Sequence, residues 1–173
     1  AVGQTDKLSD VKWNMFTTGS AFPVGDLRLD PFSVPHDSYD PVGFVVSSTD
    51  DRVGIVTDMG MATSLVRERL KNCRVIVIEA NHDEKMLKDA DRPWSLKQRI
   101  AGRQGHFSNS QATELIAEVA GPALKVIFLA HLSSDCNRPE LAEKAMRAAL
   151  DKIGRSDIAV KLTYPDRVSD AAS

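Results

Sequence analysis

Ala62-Thr-Ser-Leu-Val-Arg-Glu-Arg-Leu70, followed by Cys73-Arg-Val-Ile-Val-Ile-Glu-Ala-Asn-His82, carries the change of hydrophobic period on which the architecture turns. Leu65, Val66 and Leu70 recur at helical spacing, with Thr63 or Ser64 placed to cap the first turn. Cys73 to Ile78 is an unbroken apolar run of strand length, so the pair reads as a helix feeding a buried strand. Downstream the alternation continues. Residues 83–104 are charged, with helical character around Trp94 to Ile100 and Pro93 at a first turn. Ser108-Asn-Ser-Gln111 has the form of a capping box, opening a helix from Asn109 to about Ala120 that Gly121-Pro122 stops. Lys125 to Leu129 reads as a short buried strand, Pro139 to Ile153 as an amphipathic helix and Ile158 to Leu162 as a last edge strand.

Upstream the period is two. Residues 11–17 (Val-Lys-Trp-Asn-Met-Phe-Thr) alternate apolar and polar, and 27–34 do so in part, with Gly25-Asp26 between them, which predicts a hairpin. Val42 to Val46 and Val53 to Thr57, joined by Ser-Ser-Thr-Asp-Asp-Arg, predict a second. Strands in a row followed by alternating helix and strand give a layered α/β or α+β domain, a mixed sheet backed by helices. One domain over residues 1–165 is expected, with a frayed tail at 166–173.

The chain has 173 residues, 42% of them hydrophobic and 27% charged, the balance of an ordinary globular protein with a real core. Its formal charge of -2 rules out a global positive field for holding a polyanion, so nucleic acid would need a local basic patch or a metal. No apolar run approaches the ~18 residues of a membrane span and the first residues carry no secretory signal, so a cytoplasmic protein is expected. Cys73 and Cys136 form no CxxC pair and suggest neither a disulfide framework nor a thiolate zinc site.

Chemistry is expected where buried strands end, because strands fix side chains and loops leave them accessible. All four histidines lie at such junctions: His36 after the second strand, His82 after the fifth, His106 before a helix N-terminus and His131 after the sixth. Asp58, in Thr57-Asp58-Met59-Gly60, and Glu79 sit at strand ends as well. Imidazole with carboxylate suits zinc or manganese. Taken singly, His36 also suits a turn, His131 a hydrogen-bonded core position and Asp58 a turn or cap. Glu79, after four apolar residues, needs a partner. There is no GxSxG, GxxxxGK[ST] or GxGxxG, and nothing visible activates Cys136 as a nucleophile beside His131.

Pro31-Phe-Ser-Val-Pro-His36-Asp37, Gly54-Ile-Val-Thr-Asp58-Met-Gly60, Val77-Ile-Glu79-Ala-Asn-His82-Asp83, Pro93 to Ile100, Gly105-His106-Phe-Ser-Asn109 and Leu129-Ala-His131-Leu-Ser133 together resemble the later part of a metallo-β-lactamase-fold hydrolase. The group most resembled is that of YycJ (WalJ), whose wider relatives include ribonucleases Z and J. The resemblance covers residues 10–153. It implies an αββα sandwich in which two metal ions, zinc or manganese, activate water against a phosphodiester of DNA or RNA. His36 then resembles the third metal motif, Asp58 the bridging carboxylate and His131 the final histidine ligand. Glu79 and His106 resemble the acid and histidine that assist proton transfer or contact the scissile phosphate. His82 carries no metal role.

Such enzymes bear a His-x-His-x-Asp-His block that supplies most ligands, and it is absent from these 173 residues. The chain therefore resembles a C-terminal portion, a metal-dependent phosphodiesterase or nuclease expected to be inactive alone. Two other readings stand beside it: a non-catalytic truncated module, oligomerising through an uncovered sheet, and a lactonase- or thioesterase-like hydrolase on the same scaffold.

Overall fold

The computed structural model describes residues 13–171. Seven strands form one mixed sheet in sequential order: β1 (Phe22–Val24), β2 (Leu27–Ser33), β3 (Val42–Ser47), β4 (Arg52–Val56), β5 (Val75–Glu79), β6 (Val126–Ala130) and β7 (Ala159–Leu162). Strands β1 to β4 pair antiparallel through short connections; β4 to β7 pair parallel. Parallel neighbours need long crossovers. These carry α1 (Ser64–Leu70) between β4 and β5, then α2 (Glu84–Asp89), α3 (Trp94–Ile100) and α4 (Asn109–Val119) between β5 and β6. Helix α5 (Pro139–Lys152) joins β6 to β7.

Most of this follows the sequence pattern, with three corrections. The first hairpin turns at Gly25-Asp26, but its leading strand is Phe22–Val24 rather than residues 11–17. Residues 13–17 form no strand and residues 11 and 12 lie outside the described residues. Trp13 and Met15, the apolar members of that alternation, are exposed, so the period-two pattern has no face to bury. Phe16 instead packs its ring on Phe22 and Phe44. The charged segment 83–104 contains two short helices, the first capped by the Asp83 carboxylate accepting from the Met86 amide. Pro93 is the residue before α3 rather than within its first turn, and Thr63, not Ser64, caps α1. The capping box at α4 is complete: the Ser108 hydroxyl accepts from the Gln111 amide while the Gln111 side chain accepts from the Ser108 amide.

The two faces of the sheet differ. Val45, Val56, Ile76, Ile78, Ile127 and Leu129 share one face and are fully buried beneath the helices. Helix α4 contributes Ala112, Leu115, Ile116 and Val119, and α5 contributes Ala142, Met146 and Leu150, each set at helical spacing along one stripe. Gly54 lets α1 approach, since a Cβ there would lie 2.5 Å from Leu70 Cδ2. The opposite face presents Val53, Val75, Val77, Val126 and Phe128, a separate apolar cluster that no helix residue joins among the described residues. The sandwich's second sheet is not among the described residues, and β5 and β6 read as apolar on both faces because both faces are built to be covered.

Strand direction then fixes the functional edge. Because β2 and β3 are antiparallel, and β3 and β4 likewise, β2 runs with β4, β5 and β6. The carboxyl ends of these four strands share one edge, and the connections leaving them pack tightly. The Gly60 amide donates to Pro35 O and the Asp37 amide to Gln104 O. A Cβ on Gly60 would lie 2.5 Å from the 102–105 backbone, and one on Gly105 only 2.1 Å from Arg99 O. Gly105→Ala must therefore force the 99–105 turn apart, with an expected loss of about 1–3 kcal/mol. For a chain of this size that lowers Tm by roughly 2–4 °C per kcal/mol in a thermal melt. Gly121→Ala, where a Cβ meets nothing within 4 Å, is the control; equal melting of the two variants would contradict the packing described.

Candidate metal centre

Four residues leave the shared edge from four strands: His36 three positions beyond β2, Asp58 two beyond β4, Glu79 as the last residue of β5 and His131 one beyond β6. A fifth, His106, enters from the turn before α4. Asp58 and His131 both adopt left-handed backbone, with φ of 53° and 56°. Such a conformation costs a non-glycine residue free energy and persists where the surroundings impose it, as they often do at functional sites. At His131 the restraint is visible: the Asn81 side-chain amide donates to His131 O, and the Ser133 amide donates to Asn81 O.

Glu79 is the hub. Its side chain is wholly buried, a position a carboxylate tolerates only with its lone pairs engaged. Oε1 receives His106 Nδ1 and His131 Nδ1, each at 2.8 Å; Oε2 receives the backbone amides of Met59 at 2.9 Å and Phe107 at 3.3 Å. Four donors fill the four acceptor directions of an ionised carboxylate. Burial pushes the pKa of Glu79 up, but the bonds from His106, His131 and Met59 outweigh it and hold the group below the ordinary carboxylate value. The same contact acts in reverse on His131, whose pKa is raised by its hydrogen bond to Glu79 against the opposing effect of partial burial.

Around this anion the imidazoles have fixed roles. With Nδ1–H of His106 and His131 donated to Glu79, the Nε2 of each ring has no hydrogen-bond partner among the described residues. His36 is oriented the same way by a different group, its Nδ1 lying 3.0 Å from Gly105 O, which leaves Nε2 as the lone-pair nitrogen. Asp58 Oδ1 sits among all three: 3.7 Å from His36 Nε2, 3.8 Å from His106 Nδ1 and 3.5 Å from His131 Nδ1. The rings stand edge to face, with centroids 5.0 Å apart for His36 and His106 and 5.2 Å for His106 and His131.

This donor set fits a divalent cation. One potential ligand atom from each of Asp58, Glu79, His106 and His131 lies within 4.8 Å of the others. Histidine ligands of metals almost always give their second nitrogen to a carboxylate or carbonyl, and both devices are present. Glu79, buried and saturated, is the orienting group in this arrangement, and Asp58 and the imidazoles beside it are the partly exposed donors.

Every strand-end residue singled out from the sequence therefore converges except His82. That residue is buried, its Nδ1 without a hydrogen-bond partner among the described residues and its pKa lowered by burial. Both cysteines are buried free thiols, and burial raises the Cys73 pKa. The orienting contributions of Gly105 O, the Met59 and Phe107 amides and Asn81 have no counterpart in the sequence pattern. Backbone groups leave no residue signature, and Asn81 is one polar loop residue among several.

A family model described as beta-lactamase superfamily domain matches residues 2–131. Exodeoxyribonuclease YycJ of Bacillus anthracis is 33% identical over 140 residues, covering 81% of this chain and 53% of its own length. Exodeoxyribonuclease WalJ of Streptococcus pneumoniae serotype 2 is 30% identical over 158 residues, covering 91% of this chain and 58% of its own. The chain thus spans a little over half the length of the curated relatives it matches. The crystal structure of the metallo-beta-lactamase fold protein YhfI from Bacillus subtilis superposes with a TM-score of 0.63 at 12% identity, over 91% of this chain and 58% of that one, a likeness of fold. The chain, whose four-strand edge gathers three imidazoles about Asp58 and holds two of them on a buried glutamate, belongs to the β-lactamase superfamily domain family, in its metallo-β-lactamase fold, and is related to the YycJ and WalJ proteins.

Proposed function

We propose that this chain is the C-terminal portion of a metal-dependent phosphodiesterase acting on nucleic acid, in which His36, Asp58 and His131 bind metal. The observation that carries the reading is the gathering of three imidazoles 3.5–3.8 Å from Asp58 Oδ1, two of them held by the buried Glu79. The relatives named as exodeoxyribonucleases favour a phosphodiester, DNA first, over the ester of a lactonase or thioesterase. Zinc or manganese, two ions in the complete enzyme, suits imidazole with carboxylate. Bound there, such ions supply positive charge that activates water and offsets charge gathering on the phosphate.

The chain's own residues do the rest. Asp58, the carboxylate among the three imidazoles that keeps an exposed face, would be the group shared between the ions. Glu79 has no exposed surface and touches no substrate; it is a positioning residue that keeps His106 and His131 in one tautomer. His106, a quarter exposed, would use the ring nitrogen not given to Glu79 to pass a proton to the departing oxygen. Three ligands fall short of two sites that each take about four donors, so metal binding by this chain alone is weak and hydrolysis absent, the missing donors lying on other polypeptide. The second reading, a non-catalytic module, would leave the same side-chain cluster without chemistry to perform. A single domain with a tail from residue 166, working in the cytoplasm, completes the proposal; no helix among the described residues is long and apolar enough to cross a membrane.

Incubation of the complete gene product with Mn²⁺ or Zn²⁺ and end-labelled DNA should release label, and Asp58→Ala or His131→Ala should abolish release; retention of activity in either would discard the assignment. Elemental analysis of this chain alone should find fewer than two ions per molecule. Glu79→Gln replaces an acceptor by a donor facing two donors, and activity should fall about 10- to 100-fold, the usual cost of losing an orienting partner.

Stability of the metal-free protein should depend on pH from both sides. Glu79 is depressed in the fold, so its contribution is complete above its ordinary value of 4.5 and is lost as pH falls through the lower folded value. His131 is raised, so its contribution is complete below 6.5 and is lost as pH rises through the higher folded value. Melting temperature after chelation should therefore peak between these ordinary values, and His131→Asn should flatten the alkaline limb. A flat profile in the parent chain would show that the pair contributes nothing to folding.

A further inference from the structure

A groove of about 430 Å³ opens beside the site, lined by His106 and His131 together with Arg92, Arg99, Ser133 and the apolar Leu96. Two guanidinium groups in one groove are notable in a chain of net negative charge. Neither is consumed by its partner. Arg99 gives Nε to the Asp37 carboxylate and Arg92 gives Nη2 to Asp135. Both Nη atoms of Arg99, and Nε and Nη1 of Arg92, have no hydrogen-bond partner among the described residues. Each arginine is thus held by one donor with others to spare, an arrangement that fixes the cation without spending its fork. The mounts are also rigid: Arg99 sits in the last turn of α3, and Asp37 adjoins the candidate ligand His36 and is tied through its amide to Gln104 O.

We infer that Arg92 and Arg99 form a phosphate-binding subsite that seats the DNA backbone phosphate neighbouring the one at the metal centre. The inference rests on the phosphodiesterase reading and deepens it. A nucleic-acid strand presents phosphates at regular intervals, so a strand with one phosphate at His106 and His131 must place the next along a groove leaving that point. The groove lined by His106, His131 and two arginines with spare donors meets that requirement, while Asp37 and Asp135 remain as the anchors that orient the arginines. Backbone contacts of this kind position the strand and carry no base preference.

The test uses the complete gene product, stripped of metal with EDTA so that binding is read without cleavage, and a fluorescein-labelled DNA duplex of about 20 base pairs. Anisotropy between 50 and 200 mM KCl yields affinity and its salt slope. The Arg92→Ala/Arg99→Ala variant should bind about three- to tenfold more weakly for every sequence tried, with a slope shallower by about 0.9, the loss of one phosphate contact. Arg99→Lys, which keeps the charge, should recover part of both. With metal restored, the double variant should show raised KM and little change in kcat. If the parent protein binds and cleaves DNA while the double variant matches it in affinity and slope, the subsite is wrong and the nuclease reading stands. If the parent protein neither binds nor cleaves DNA, both fall. A double variant that melts below its parent is replaced by Arg92→Lys/Arg99→Lys, which should retain the slope; a slope lowered there as well would equally overturn the assignment.

Discussion

The architecture depends on one buried anion. Removing a carboxylate from water costs several kcal/mol unless it is matched, and Glu79 is matched by two backbone amides from different loops and by two imidazoles from different crossovers. Each donor belongs to a connection that would otherwise be free to move: Met59 to the turn after β4, Phe107 and His106 to the entry of α4, His131 to the exit of β6. The glutamate therefore does more than neutralise its neighbours. It fixes where four segments meet, and the placement of Asp58, His106 and His131 follows from that junction.

Much of this is legible in the order of the residues. The helix and strand periods of residues 62–82, the capping box at Ser108 and the hairpin signal at residues 47–52 mark elements observed within one or two residues of their expected bounds. Convergence of His36, Asp58 and His131 is also foreseeable, because alternating antiparallel pairing followed by parallel crossovers puts the carboxyl ends of β2, β4, β5 and β6 on one side. The failures have physical causes. Residues 13–17 have strand-like alternation but lack a partner strand, and local pattern holds no information about partners. Gly105 O orients His36, yet a carbonyl is common to every residue, so a contact at a separation of 69 positions leaves no trace in composition. The two arginines are hidden for a third reason: each reads as half of an ordinary surface ion pair until the groove beside them is seen.

The sheet carries a second message in its unequal faces. Helices shield Ile76, Ile78, Ile127 and Leu129, while Val75, Val126 and Phe128, themselves buried, form a smaller cluster of their own on the other face with Val53 and Val77 packed against it. The strands between are therefore apolar on both faces, and only their carboxyl ends carry the polar groups of the site.

Completeness of the orienting shell has a consequence for how such a protein could be assembled. The groups that align His36, His106 and His131 all lie among the described residues, so the rings are held by contacts that make no use of an ion. Preorganisation of that kind lowers the cost of capturing a cation, since little side-chain entropy remains to be lost on binding. Direction is set by one carbonyl and one carboxylate, and the carboxylate in turn is held by two backbone amides, so the orientation of the rings is written into the packing of the loops themselves.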